Sequence, residues 1–298
     1  MAQAHVIPQA VTRIAPQHDW TIGVVGASEP TGRGLAQAAL RCGFHVRIVD
    51  ARGREAEQAH AAIATALGWL VARDMLTGAG RTAMLGRLRT CPSVSEVGAA
   101  SLIVDASSDE TGDKLATLRD LDAALAPDTV LLTHTSGTSV TKLAAAAKHP
   151  ERVVGLHMMQ PAATAAPVEV IRAMQTSDAA HDEACRFVRA LGKTLVRVND
   201  FPGFLLHRLH MPMINEACFV LQEGLASLED IDAAAPLAGG MGPLRMADEI
   251  GLDTCLFAME RLHREFGDGK YRPAPVLRNY VAAGWLGRKT RRGFYTYT

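Results

Sequence analysis

Gly26 and Gly32 sit in the stretch Gly26-Ala27-Ser28-Glu29-Pro30-Thr31-Gly32, which follows the apolar run Thr21-Ile22-Gly23-Val24-Val25 and leads into the helical pattern Leu35 to Leu40. Strand, glycine turn and helix in that order suit a dinucleotide. The first glycine allows a tight turn, a middle one lets the backbone approach the pyrophosphate, and a third lets helix and strand pack closely, while N–H groups at the helix start face the phosphates. Gly26 fits the first role and Gly32 the third, but the loop is one residue longer than usual and carries Ser28 and Glu29 at its middle. A Glu29 carboxylate turned inward would repel a pyrophosphate, and Pro30 removes one donor. The next strand pattern ends at Asp50, near the position, roughly 20 residues on, where an acid accepts hydrogen bonds from the adenosine ribose. That acid favours NAD. Arg47, Arg52 and Arg54 flank it and keep the 2′-phosphate of NADP as the lesser alternative, and a glycine turn with no nucleotide is the purely structural one.

The elements that must hold these residues follow from hydrophobic patterning. From Trp20 to about Val198 the runs TIGVVG, HVRIVD, ASLIVDAS, TVLLTHTS, RVVGLHMM and TLVRV alternate with helical stretches. Runs that are apolar throughout and separated by helices predict a parallel sheet buried on both faces, hence an α/β, Rossmann-like, mostly parallel doubly wound fold. Helices are expected over Ala56 to Leu67, Ala79 to Leu88, Asp113 to Leu125 and Ser139 to Ala147. After Phe201 the texture changes, with helical patterns over Arg208 to Gly224, Asp230 to Leu237, Ala247 to Phe266 and Ala274 to Ala283 and no further strand candidate. The expected organisation is a flexible extension over 1–19, a dinucleotide-binding domain over 20–200 and an all-helical domain over 201–298. Leu209, Met213, Ala217 and Val220 form an apolar stripe on the first of the later helices, which serves either the helical core or a second subunit.

The bulk properties narrow the partners. The chain has 298 residues, 48% of them hydrophobic, with 31 basic and 31 acidic side chains. It can bury a sizeable core, and it lacks the electrostatic footprint of a nucleic-acid or anionic-membrane binder. Five dispersed cysteines with no C-x-x-C pair read as reduced thiols of a cytoplasmic protein. No apolar stretch approaches a membrane span, and the first 18 residues lack the apolar centre of a secretory signal. A small or coenzyme-linked ligand is therefore expected.

The stretches ERVVGLHMMQP (Glu151 to Pro161), PVEVIRA (Pro167 to Ala173), FPGFLLHRLHMPMINEA (Phe201 to Ala217), GLASLEDIDAA (Gly224 to Ala234), MGPLRMADEIGLDTC (Met241 to Cys255) and GWLGRKTRRGFYTY (Gly284 to Tyr297) together resemble the L-3-hydroxyacyl-CoA dehydrogenase family. The resemblance covers nearly all of the chain after Trp20. It implies a helical domain through which the protein forms a homodimer, and an NAD-linked interconversion of a 3-hydroxyacyl-CoA and its 3-ketoacyl form. It also implies that His157, in Leu156-His157-Met158-Met159-Gln160-Pro161, is the acid/base and that Glu169 is its carboxylate partner. The chemistry is sound for those residue types: an imidazole titrates near neutrality, and a carboxylate on one ring nitrogen fixes the tautomer and stabilises the imidazolium. A strand-end histidine bonded to backbone and a solvated glutamate are the structural alternatives.

Against the family pattern several positions differ. The strand-end turn N-T-S-S stands here as His134-Thr135-Ser136-Gly137, so the resemblance implies that Gly137 replaces the serine hydroxyl that contacts the substrate oxygen, with Ser136 and Gly137 as the expected substrate contacts. The substrate-facing asparagine of P-G-F-x-x-N-R is His207, and the amide before the proline is Gln160. For the nicotinamide side the resemblance implies Asp109 and Lys114. His207 and His210 at i,i+3 suggest a metal only in company with a third ligand, which no recognisable spacing supplies, so no metal is expected. The Arg288-Lys289 and Arg291-Arg292 cluster reads either as a coenzyme A phosphate contact or as a solvated charge run. The functional expectation is an NAD(H)-dependent 3-hydroxyacyl-thioester dehydrogenase with an acyl-CoA-like substrate. The alternatives are a member that keeps the fold but has lost efficient chemistry, and a dehydrogenase of a non-thioester 3-hydroxy acid.

Overall fold

A computed structural model describes residues 20–50, 54–97, 100–159, 162–164, 167–236 and 240–298. The expectations for the 1–19 extension, Arg52, Gln160 and the end of a helix at Leu237 lie outside these residues. The chain divides into two compact units, Met1–Asp200 and Phe201–Thr298.

The first unit is built on one eight-stranded sheet. Its strands are β1 (Thr21–Val25), β2 (His45–Val49), β3 (Leu88–Thr90), β4 (Leu102–Asp105), β5 (Val130–His134), β6 (Val153–Met158), β7 (Pro167–Arg172) and β8 (Thr194–Asn199), in the order β3-β2-β1-β4-β5-β6-β7-β8. The six predicted runs are all strands. Two more were not foreseen: β3 is only three residues long and begins at Leu88, where the helix expected over Ala79 to Leu88 was to end, and β7 was not identified as a strand. Strand β7 also departs from the parallel arrangement, because β6 and β7 pair antiparallel. Residues 159–166 are all that join them, and a parallel return needs a crossover of a dozen or more residues. The central strands are apolar throughout, with Ile22, Val24, Leu102, Val104, Leu131 and Leu132 fully buried. Such strands need cover on both faces.

That cover comes from α1 (Pro30–Arg41), α2 (Arg54–Val71), α3 (Gly78–Leu85), α4 (Val94–Val97), α5 (Thr111–Ala124), α6 (Val140–Ala144) and α7 (Asp178–Ala190). Helix α1 buries Leu35, Ala36, Ala39 and Leu40. Side-chain caps fix several starts: Thr77, Ser139 and Ser177 each accept an N–H of the first turn of α3, α6 and α7. Asp122 of α5 and Arg152, just before β6, form a buried ion pair at 2.6 Å.

In the second unit α8 (Leu206–Gln222), α9 (Leu228–Ala234), α10 (Pro243–Ile250), α11 (Leu252–Phe266) and α12 (Pro275–Ala282) surround a core that includes Met211, Cys218, Leu244, Cys255, Met259 and Leu277. The single helix expected over Ala247 to Phe266 is two. Gly251 between them has φ +101, a conformation that breaks the helix and suits only glycine. Isolated bridges, Gly287 with Arg292 and Arg292 with Thr296, are the only β pairing among the described residues of this unit. The apolar stripe of α8 also divides: Ala217 is buried and Val220 packs on the core, whereas Leu209 and Met213, with Leu205 just before the helix, are exposed.

Candidate active site

Strands β4, β5 and β6 run parallel and adjacent, so their C-terminal ends lie on one edge of the sheet. This is the edge at which open α/β sheets bind ligands. Polar residues close each apolar strand there: Asp105 ends β4, His134 ends β5 and His157 is one residue from the end of β6. Antiparallel pairing then sets Glu169 of β7 directly opposite His157, and directly paired residues present their side chains to the same face. The ring Nδ1 lies 2.5 Å from Glu169 Oε2, with both side chains buried. A carboxylate in this position holds the proton on Nδ1, which makes Nε2 the nitrogen suited to exchange a proton with a ligand.

Around this pair the polar groups are ordered by one another. Asp105 is fully buried and accepts from Lys114 Nζ at 3.0 Å, Thr133 Oγ1 at 3.2 Å and the backbone N–H and hydroxyl of Ser107. Asp109 Oδ2 accepts from Ser136 N–H at 2.9 Å and Ser136 Oγ–H at 2.5 Å. Burial acts to raise the Asp109 carboxyl, but the Ser136 hydrogen bonds and the Lys114 charge outweigh it and hold it below the usual carboxylate range. Its other oxygen, Oδ1, is buried with no hydrogen-bond partner among the described residues. Thr135 Oγ1 accepts from the N–H groups of Gly137 and Thr138, which fixes the turn after β5. Sequence reasoning had not singled out Asp105 or Thr133, and had noted His134 and Thr135 only as part of the turn. The signal that would have found Asp105 and His134 is a polar residue closing an apolar strand in a doubly wound sheet.

The glycine turn lies after β1. Gly26 has φ +79, and a Cβ there would stand 2.5 Å from Ser107 N. A Cβ on Gly32 would meet the Gly26 carbonyl oxygen at 2.2 Å, so only glycine lets α1 approach β1 this closely. Ser28 does not project as a bare hydroxyl: its N–H and Oγ–H donate to Asp50 at 3.1 and 3.0 Å. Burial raises Asp50, partly offset by these Ser28 bonds, with the charges of Glu55 and Glu29 adding to the rise. Glu29 is exposed, caps α1 without a side-chain bond and presents only backbone to the loop, its N–H donating to Gly26 and its carbonyl accepting from Arg33. Arg33 reaches back to the Ser28 carbonyl. The turn thus retains the first and third glycines of the dinucleotide pattern, with Ser28 and Glu29 at its middle.

In the second unit His207 is buried near the start of α8. Of the basic cluster near the end of the chain, Arg288 pairs with Glu249, Lys289 with Asp253 at 2.6 Å, and Arg292 stacks on Trp285 at 3.6 Å from the ring centroid. Arg288 and Lys289 thus stand in partly exposed ion pairs, and Arg292 against an aromatic ring, within the second unit. Among the described residues no group of three or more His, Cys, Asp or Glu could hold a metal ion, and no helix is long and apolar enough to cross a membrane.

Comparison with known proteins decides the family. Residues 21–201 match the model of the 3-hydroxyacyl-CoA dehydrogenase NAD-binding domain, and residues 203–297 match that of the 3-hydroxyacyl-CoA dehydrogenase C-terminal domain. The chain belongs to the 3-hydroxyacyl-CoA dehydrogenase family. As a member of this family of oxidoreductases it carries an NAD-binding domain in its first unit. The 3-hydroxybutyryl-CoA dehydrogenase of Bradyrhizobium diazoefficiens is 40% identical over 278 residues, 93% of this chain and 94% of the relative. A probable 3-hydroxybutyryl-CoA dehydrogenase of Bacillus subtilis is also 40% identical, over 93% of this chain and 96% of its own length. The solved (S)-3-hydroxybutyryl-CoA dehydrogenase of Ralstonia eutropha superposes with a TM-score of 0.87 at 40% identity, covering 94% of this chain and 100% of that one. These dehydrogenase relatives lend no support to the alternative of a member that has lost its chemistry.

Proposed function

We propose that this chain catalyses the NAD-dependent interconversion of a (3S)-3-hydroxyacyl-CoA and its 3-ketoacyl-CoA, with His157 as acid/base and Glu169 as the group that orients it. The observation that carries this reading is the buried Nδ1 to Oε2 contact of 2.5 Å, at the ligand-binding edge of a sheet whose family binds NAD. Bound NAD would take the hydride from carbon 3 of the hydroxyacyl chain, or return it in the reverse direction. As the hydride leaves, His157 Nε2 takes the proton of the 3-hydroxyl, and the Glu169 carboxylate stabilises the imidazolium that results. In reduction the same nitrogen returns that proton to the oxygen. Gly26 and Gly32 shape the pyrophosphate turn, Ser28 and Asp50 its adenosine side, and Asp109 and Lys114 the nicotinamide side, while Ser136, Gly137 and His207 act toward the substrate. The Glu29 side chain stands in solvent, so its place in the turn is held by backbone.

The names of the 40%-identical relatives make 3-hydroxybutyryl-CoA the first substrate to test. The reading includes a homodimer formed through the exposed Leu205, Leu209 and Met213 of the helical unit, a cytoplasmic location and a place in acyl-CoA metabolism. Fluorescence titration with NADH and NADPH, followed by NADH oxidation with acetoacetyl-CoA, tests the reaction. We expect NADH to bind more tightly than NADPH, and His157→Ala to abolish turnover while NADH still binds. Absence of NADH binding at millimolar concentration sinks the proposal. Turnover of a free 3-hydroxy acid but not of the thioester would replace the substrate class. Higher turnover of acetoacetyl-CoA by Gly137→Ser/His207→Asn would show that the native pocket serves a different acyl group.

A further inference from the structure

His134 ends β5 where the family pattern places asparagine, and neither the acid/base pair nor the expected cofactor contacts make use of it. Its ring centroid is 6.4 Å from that of His157, and the two planes are tilted by 40°. The side chain is only partly exposed, and its Nε2 is buried with no hydrogen-bond partner among the described residues. A buried polar ring atom left in this way carries a desolvation penalty, which an ordered water or a bound ligand can repay. Asp109 Oδ1 is a second such atom, held by the segment that follows the adjacent strand β4.

We propose that His134 is a binding residue of this dehydrogenase site, presenting Nε2 to an uncharged carbonyl or hydroxyl group of the bound reactants. The inference rests on the function proposed above and adds to it a contact that the family's asparagine cannot make in the same form. Charge decides the chemical class of the ligand group. Burial first, then the neighbouring charges of His157 and Lys114, hold the His134 pKa at about 4, while Asp109 and Asp105 pull the other way. Near pH 7 only about one molecule in a thousand carries the imidazolium. A neutral imidazole is a poor partner for a phosphate or carboxylate and a good one for a dipole, which it can meet either as donor or as acceptor. Two reactants offer such a group: the carboxamide or ribose hydroxyls of the nicotinamide half of the cofactor, and the oxygen on carbon 3 of the acyl chain.

The test separates these sources. Wild type, His134→Ala and His134→Asn are titrated with NADH, and then assayed with acetoacetyl-CoA at saturating NADH for KM and kcat. Loss of one hydrogen bond is expected to cost His134→Ala about tenfold. The loss falls on the NADH dissociation constant if the partner is the cofactor, and on KM or kcat for acetoacetyl-CoA if it is the substrate. His134→Asn should recover part of it. A His134→Ala enzyme within twofold of wild type in all three quantities overturns the inference while leaving the dehydrogenase reading intact. Failure of the wild type itself to bind NADH instead removes that reading. A variant that does not melt cooperatively is replaced by a measurement on the wild type: the 15N resonance of His134 Nε2 should shift on saturation with NADH or with acetoacetyl-CoA, and no shift with either overturns the inference.

Discussion

Glu169 faces the His157 ring, and its two contributions, shape and charge, are separable. Glu169→Gln keeps an acceptor oxygen for Nδ1–H but removes the charge that stabilises the imidazolium, and it allows the amide to present its NH2 and favour the wrong tautomer. The variant should lower kcat by about 10²–10⁴-fold with little change in NADH affinity; a kcat within threefold of wild type removes Glu169 from the mechanism. His134 makes a second residue-scale prediction, about pH. Its folded pKa of about 4 lies below the ordinary histidine value. Between roughly pH 6.5 and pH 4 the unfolded chain therefore binds a proton that the native protein refuses. The stability associated with neutral His134 is fully present above that window and is lost as pH falls through it, by at most about 3 kcal/mol. Asp109 and Asp122, both held below the usual carboxylate range, act in the same direction at lower pH. Urea midpoints measured from pH 7 to pH 4 should fall less steeply for His134→Asn than for wild type. Equal slopes would show that His134 is not kept neutral by the fold.

At the scale of elements the glycine turn joins β1 to α1 by direct backbone contact. Gly32→Ala would drive a methyl group to 2.2 Å from the Gly26 carbonyl oxygen, a backbone atom that cannot rotate away. Helix α1 must then lift from the sheet, at a cost of about 1–3 kcal/mol typical of overpacking. NADH affinity should fall at least tenfold with it, because the loop and the helix start move together. Calorimetry and fluorescence titration check the two effects, and an unchanged melting temperature would refute the close approach. Much of this scale was readable in advance. Continuous apolar runs marked six strands because burial on both faces demands them. The antiparallel turn of β7 was not readable, since PVEVIR has the composition of any buried strand and only its pairing partner sets its direction.

At the scale of the whole molecule, α8 carries a row of exposed apolar side chains. Leu209 and Met213 are 58% and 43% exposed, one helical turn apart, and Leu205 continues the same row at 40%. Exposed apolar side chains in a row on one helix favour burial by a second copy, consistent with the proposed homodimer. Sedimentation velocity should show wild type as a dimer and Leu209→Glu shifted toward monomer, with the secondary structure retained. A wild-type monomer at tens of micromolar would end the dimer proposal.

What the sequence determined by itself is what depends on local patterning: the alternation of strands and helices, the change to helices after Phe201, the glycine turn and the acid at the end of the second strand. His157 and Glu169 were legible through their flanking motifs, but nothing in a spacing of 12 residues says that two side chains touch. Tertiary structure alone decided that, by pairing β6 with β7 antiparallel and placing the two residues opposite each other. It likewise turned Ser28 onto Asp50 and left Nε2 of His134 without a partner beside the His157 ring. Periodicity records which face of an element is buried. Which polar atoms meet across strands is set by register and strand direction, and those are properties of the assembled sheet.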